Sequence, residues 1–264
     1  MRGFGEIAER LRRSTVQVNL NEGGRRAARR SGGSGIIWSS SGLIVTNAHV
    51  ARAAEAEVEL WDGRRFPARV ETRDARRDLA TLRIAASGLE AVTAGDSAAL
   101  RPGELVIAVG NPLGFAGALS TGIVHSSGER WIHADVQLAP GNSGGPLANA
   151  HGHVVGINTA IVNGLGAAVP SKVALDFLER GARPSLGVVM RPVHLGLLLL
   201  EVEPGSAAAN AGLRAGDVLL TRFDALNEAL DSGRPTLRVH FLRDDQTRVR
   251  ETVVRLGAPM EAAA

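Results

Sequence analysis

Gly141-Asn142-Ser143-Gly144-Gly145-Pro146-Leu147 gathers three glycines around one serine, between apolar runs. Glycine crowding of this kind describes a tight loop whose backbone must approach something closely. A nucleophile needs that arrangement, an exposed hydroxyl beside backbone N–H groups free to receive an oxyanion. Taken alone, the stretch reads equally well as an ordinary glycine-rich turn. A serine hydroxyl is a poor nucleophile without an adjacent base, so attention passes to the seven histidines. His49 ends Gly42-Leu43-Ile44-Val45-Thr46-Asn47-Ala48-His49, where an apolar strand runs into a small-residue turn and fixes the imidazole at the strand's edge. On its own it would be a hydrogen-bonded structural histidine. The imidazole in turn needs an acceptor to hold its tautomer and balance the imidazolium. Asp78 stands where a turn enters Leu79-Ala80-Thr81-Leu82; Asp74 is a rival just upstream, and either carboxylate could simply cap a turn.

The surrounding pattern is rich in short strands. Phe4, Ile7 and Leu11 fall at helix spacing, which predicts an amphipathic helix over 4–12. Thr15 to Leu20 then alternates apolar and polar, the period of a half-buried strand. Further β-rich runs follow at Gly35–Trp38, Gly42–Val45, Glu57–Leu60, Leu79–Ile84, Glu104–Val109 and His153–Ile157, separated by glycine-rich turns. Many short strands without intervening helices predict an antiparallel barrel or sandwich. A helix is expected over Ser171–Arg180, with Ser171 as N-cap and Gly181 at its C-terminus. Beyond Gly181 the composition changes. Strands are expected at Leu197–Val202, Asp217–Leu220, Thr236–Leu242 and Val249–Leu256, with helices at Ser206–Ala211 and Asp224–Leu230. The chain therefore divides into 1–181, a linker at 182–185, a small β-rich module at 186–258 and a disordered tail at 259–264.

Composition narrows the chemistry. The 264 residues are 44% hydrophobic and 22% charged, ordinary globular usage that excludes a disordered chain. The longest apolar run, Leu195 to Leu200, is far short of the ~18 residues a spanning helix needs. Cysteine is absent, which removes disulfides, thiolate metal sites and a cysteine nucleophile. His151-Gly152-His153 offers two metal ligands without a third nearby, so a solvated turn is expected and no metal or organic cofactor. Of 30 basic residues Lys172 is the one lysine, and the net charge is +3. Arg25, Arg26, Arg29 and Arg30 cluster between glycine pairs; without stacking aromatics they read as a solvated loop rather than a nucleic-acid surface. Glu6 and Glu9 interrupt any apolar signal core after Met1, leaving either a cytoplasmic chain or a mature form with a start codon added.

The order His49, Asp78, Ser143 is that of chymotrypsin-like double barrels. Thr46-Asn47-Ala48-His49-Val50, Asp78-Leu79-Ala80 and Pro140 to Leu147 together resemble the HtrA (DegP/DegS) family of trypsin-fold serine proteases. So do Ala108-Val109-Gly110-Asn111-Pro112-Leu113-Gly114, Thr121-Gly122-Ile123-Val124, Gly156-Ile157-Asn158-Thr159-Ala160 and Ala168-Val169-Pro170-Ser171. Gly205 to Leu219 resembles a segment of the PDZ domains that follow the protease in this family. The implied fold is mainly β: a chymotrypsin-like double antiparallel β-barrel followed by a small, shortened PDZ-like α+β domain.

The resemblance implies a serine endopeptidase acting on unfolded or damaged proteins through an acyl-enzyme. Ser143 would be the nucleophile, His49 the base and Asp78 its orienting partner, with Gly141, Asn142 and Ser143 forming the oxyanion hole. A latent triad in a peptide-binding or chaperone-like protein is the alternative. Ser185-Leu186-Gly187-Val188 resembles the PDZ carboxylate-binding loop, with Leu226, Ala229 and Leu230 on the helix side of a groove for C-terminal peptides; these residues could equally pack the module's core. Family precedent further implies a homotrimer, with Phe4 a candidate contact, and a periplasmic or cell-envelope setting. By the same resemblance Gln137 lies at the base of the primary specificity pocket, and Thr159, Ala160 and Ile161 form its wall. Gln137 carries no charge, and Ile161 should narrow the pocket. Among peptides varied at the residue before the cut, those with Val, Ala or Leu are expected to turn over faster than those with Arg or Phe, measured as kcat/KM; preference for Arg would refute the assignment.

Overall fold

The structure is a computed structural model that describes residues 3–20, 32–112, 115–181, 185–232 and 234–256. The Arg25–Arg30 cluster, linker residues 182–184 and the 259–264 tail lie outside the described residues. The chain separates into two compact units, Met1–Gly181 and Ala182–Ala264.

The first unit opens with α1 (Phe4–Arg13), which buries Ile7 and Leu11, one turn apart, and collects Arg10, Arg12 and Arg13 in its last turn. Cations there complement the partial negative charge of the helix C-terminus. Six antiparallel strands follow: β1 (Thr15–Asn19), β2 (Gly32–Ser39), β3 (Leu43–Thr46), β4 (Glu55–Glu59), β5 (Arg65–Asp74) and β6 (Leu79–Ile84). They close into a barrel in the order β1-β2-β3-β6-β5-β4. Closure removes the unpaired edges of an open sheet. Val16, Val18, Ile37, Ile44, Val58 and Leu82 fill its interior.

A second barrel comprises β7 (Leu105–Gly110), β8 (Ala118–Ser127), β9 (Ile132–Ala134), β10 (Pro146–Asn149), β11 (Val154–Val162) and β12 (Leu165–Pro170). Its order is β10-β11-β12-β9-β8-β7, around Val106, Val124, Ile132, Leu147 and Val155. The unit ends in α2 (Ser171–Arg180), closed by Gly181 at φ +76°. The expectation that Ser171 caps this helix is corrected. Pro170 occupies the N-cap, and the Ser171 hydroxyl donates instead to Gly95 O at 2.7 Å. The double barrel expected from the sequence is thus the architecture of the first unit.

Among the described residues, the second unit is one five-stranded sheet with two helices. Its elements are β13 (Val188–Val193), β14 (Gly196–Val202), α3 (Ala207–Asn210), β15 (Val218–Leu219), α4 (Phe223–Asp231), β16 (Thr236–Arg243) and β17 (Asp245–Arg255). The sheet order is β13-β14-β15-β16-β17. Ser206 caps α3 by accepting the N–H of Ala209. Asp217, buried just before β15, is the polar anchor: it accepts both arms of Arg243 at 2.6 and 2.7 Å and the N–H of Arg214 at 2.8 Å. Hydrogen bonding to Asp217 holds the Arg243 guanidinium above its ordinary pKa. Removing one member of a buried, hydrogen-bonded pair typically costs about 3–5 kcal/mol. Asp217→Ala is expected to lower the stability of this unit by that order in urea, followed by far-UV circular dichroism. All three tryptophans, Trp38, Trp61 and Trp131, lie in the first unit, so their fluorescence transition should stay in place.

Candidate active site

The first barrel builds half of the site. β3 pairs with β6, ending on Thr46 opposite Ala80, so the turn leaving β3 and the turn entering β6 emerge side by side. The first carries His49 and the second Asp78. One Asp78 carboxylate oxygen lies 2.7 Å from His49 Nδ1, and the other accepts the His49 backbone N–H at 3.0 Å. An ionised carboxylate only accepts, so Nδ1 carries the proton and Nε2 is left as the basic nitrogen. Asp78 itself sits at φ +54°, a left-handed conformation that costs a non-glycine residue of order 1–3 kcal/mol. The two bonds to His49, and a third from Asn47 Nδ2 to Asp78 O at 2.9 Å, hold it there. The rival Asp74 is a turn carboxylate: it is buried and accepts the N–H groups of Arg76 and Arg77 at 2.9 and 3.0 Å.

The second barrel supplies the hydroxyl. Residues 139–142 form a turn closed by Asn142 N–H donating to Ala139 O at 3.0 Å, with Gly141 at φ +107°. Gly144 N–H donates to Asn158 O at 2.8 Å and Gly145 N–H to Asn142 O at 3.0 Å. The N–H groups of Gly141 and Ser143 have no hydrogen-bond partner among the described residues. Two free donors therefore flank the Ser143 hydroxyl. The expectation that Asn142 joins them is corrected, because its N–H is spent on the turn.

Ser143 Oγ donates to Thr159 O at 2.9 Å, and no hydrogen bond joins it to the His49 ring. The acceptor is free for a physical reason. The β11–β12 register shifts between Asn158 and Ala160, which leaves Thr159 without a strand partner. Thr159 Oγ1 accepts from Asn47 Nδ2 at 2.9 Å, the same amide that holds Asp78. His49, Asp78, Asn47, Thr159 and Ser143 thus form one chain of hydrogen bonds across the seam between the barrels. Asn47 stands inside the histidine motif, yet no role for it was legible there.

The remaining expectations are placed as follows. Thr159 is buried, whereas Ala160 and Gln137 are exposed and Ile161 is 56% exposed, so a pocket wall formed by Ile161 is open to solvent. Gln137 O accepts the Ser120 hydroxyl at 2.8 Å. In the second unit, Leu186, Leu226 and Leu230 are at most 4% exposed and belong to the core cluster with Leu197, Leu219 and Phe241. Leu226 and Leu230, expected either on the helix side of a groove or in the core, pack the core, and Leu186, expected in the carboxylate-binding loop, has its side chain in the same core. Gly187 takes φ +69°, but its N–H donates to Ser185 Oγ at 3.0 Å. Val188, half-buried, begins β13, which pairs with β14 and, among the described residues, with nothing on its other side.

Residues 33–157 match the trypsin-like peptidase domain model. A Chlamydia trachomatis serovar D protein named as a DegP-like periplasmic serine endoprotease is 34% identical over 263 residues, 87% of this chain and 52% of that protein. The chain spans about half the length of the curated relatives it matches. Among solved structures, the HtrA-type protease AlgW with decapeptide superposes with TM-score 0.64 at 27% identity, covering 97% of this chain and 98% of that one. The serine endoprotease from Yersinia pestis gives 0.66 at 28% identity, covering 97% of both chains.

A Cβ at Gly144 would lie 2.0 Å from Ser34 O and 2.2 Å from Thr46 Oγ1, at φ +88°. Gly144→Ala must therefore displace the Ser143 loop, and misplacement of a reacting group by about 1 Å can cost roughly 10²-fold in rate. The rate of covalent labelling by a fluorophosphonate is expected to fall by about that factor.

Proposed function

Because the chain belongs to the HtrA-type serine proteases of trypsin fold, we propose that it hydrolyses peptide bonds of unfolded or damaged polypeptides, with Ser143, His49 and Asp78 as its triad. The observation that carries this is the two-point grip of Asp78 on His49, through ring and backbone together. A capping carboxylate has no need of the ring, and a structural histidine has no need of so fixed a tautomer.

The reaction follows from the atoms. Rotation of the Ser143 side chain carries Oγ from Thr159 O toward His49 Nε2. The imidazole takes the hydroxyl proton as Oγ attacks the scissile carbonyl. The negative charge that develops on the carbonyl oxygen falls to the free N–H groups of Gly141 and Ser143, and Asp78 balances the imidazolium. The imidazolium then gives its proton to the leaving amine. Water, activated by the same Nε2, attacks the ester and returns Ser143. The uncharged Gln137 supports a preference for small or medium aliphatic side chains over basic ones before the cut.

The second unit is read as a shortened PDZ-like module that takes C-terminal peptides as an added strand along β13. The edge of that strand left unpaired among the described residues supports this; Val188 begins the strand and Gly187 directly precedes it. Leu186, Leu226 and Leu230 would support the strand from within the core. A homotrimer is the proposed assembly, with Phe4, 47% exposed, in the contact. The periplasmic names of the relatives support a bacterial envelope setting. No helix among the described residues is long and apolar enough to cross a membrane.

Casein digestion and fluorophosphonate labelling test the reaction together. Ser143→Ala should abolish both. Asp78→Asn should lower peptide turnover by roughly 10⁴-fold by misdirecting the imidazole tautomer. Intact labelling in Ser143→Ala, or undiminished turnover in Asp78→Asn, would overturn the triad.

A further inference from the structure

Ser34, on β2 of the first barrel, is wholly buried and uses every polar atom it has. Its N–H donates to Ser143 O at 2.8 Å. Its carbonyl accepts the Thr46 hydroxyl at 2.6 Å. Its own hydroxyl accepts the Asn111 N–H at 2.8 Å and donates to Gly141 O at 2.7 Å. With Asn111 N–H occupying one face of the oxygen, the hydroxyl proton is directed to Gly141. Two of these bonds thus cross the seam and land on the carbonyls of the two residues whose N–H groups flank the nucleophile.

The bond to Gly141 has a particular consequence. The peptide unit between Gly141 and Asn142 is planar. Its N–H end is held by Ala139 O and its C=O end by Ser34 Oγ. The plane is therefore pinned at both ends. The Gly141 N–H belongs to the preceding Pro140–Gly141 peptide, which joins this plane at the Gly141 Cα; glycine by itself has few torsional preferences, so with this plane released the two peptides could turn together and carry the Gly141 N–H away from the site at little cost.

We propose that Ser34 is a positioning residue of the proposed peptidase, whose hydroxyl locks the Gly141–Asn142 peptide so that the Gly141 N–H stays aimed at the developing oxyanion. The inference rests on the triad reading, and the first barrel then sets the geometry of a donor that belongs to the second.

Ser34→Ala is the direct test. Full loss of one such donor costs about 10²–10³ in kcat. A donor that is released rather than deleted should cost part of that, so kcat is expected to fall about 10- to 100-fold with KM nearly unchanged. A peptide boronate forms a tetrahedral adduct on the serine with an oxygen in the hole, and its affinity should fall by the same factor per titrated active site. A merely structural role would reduce the folded fraction and leave that affinity alone. Ser34→Cys keeps the packing volume but donates weakly, so it should shift the same quantities in the same direction even if the alanine variant folds poorly. In the full chain labelled with nitrogen-15, the Gly141 amide resonance should broaden or move in both variants while that of Asp217 stays. This readout needs no turnover, so it still decides if the parent protein proves inert and the peptidase reading fails. Unchanged kcat and boronate affinity, or an unmoved Gly141 amide, would overturn the role of Ser34.

Discussion

Pairing of β3 with β6 is the constraint on which the site depends. His49 and Asp78 are 29 residues apart in the chain, yet the ladder ends on Thr46 opposite Ala80 and delivers both to one rim of the barrel. Once there, the carboxylate reaches ring and backbone at once, and a strained left-handed aspartate is kept in place by the bonds it makes. Imidazole and carboxylate are therefore fixed by a β-ladder, one of the stiffest devices a small barrel offers. The hydroxyl comes from a loop, and glycines at Gly141 and Gly144 let that loop take backbone angles closed to other residues.

What joins the halves is a set of polar side chains reaching across the seam. Asn47 links Asp78 to Thr159, Ser34 holds the carbonyls of Gly141 and Ser143, and Asn111 Nδ2 donates to Val16 O at 2.8 Å. Buried polar groups are expensive unless satisfied, and here satisfaction is the means of alignment. Each group finds its partner only when the two barrels meet in one register. The bulge at Thr159 belongs to the same logic: a residue with no strand partner frees a carbonyl for the serine.

Much of this was legible in the sequence, and the reasons are physical. Alternating apolar residues marked the strands that bury one face, such as the Glu57–Leu60 run with Val58 and Leu60 buried. β5 was harder to see, because Arg65–Asp74 carries charges on its outer face and buries few residues. His49, Asp78 and Ser143 could be picked out as candidates because the three residue types stand in characteristic local settings. Ser34 could not, because a serine in a run of glycines carries no local mark of a contact more than a hundred residues away. Nor did the sequence distinguish groove from core in the second unit. Leucines at helix spacing are needed by both, and only burial separates the two uses.

The division of the site between barrels also orders its appearance in time. Synthesis runs from the first residue onward, so the imidazole and its carboxylate are complete while the residues bearing the hydroxyl have still to be made. A chain interrupted anywhere before Ser143 holds the imidazole and its carboxylate without the hydroxyl, and a fragment starting after β6 holds the hydroxyl without either.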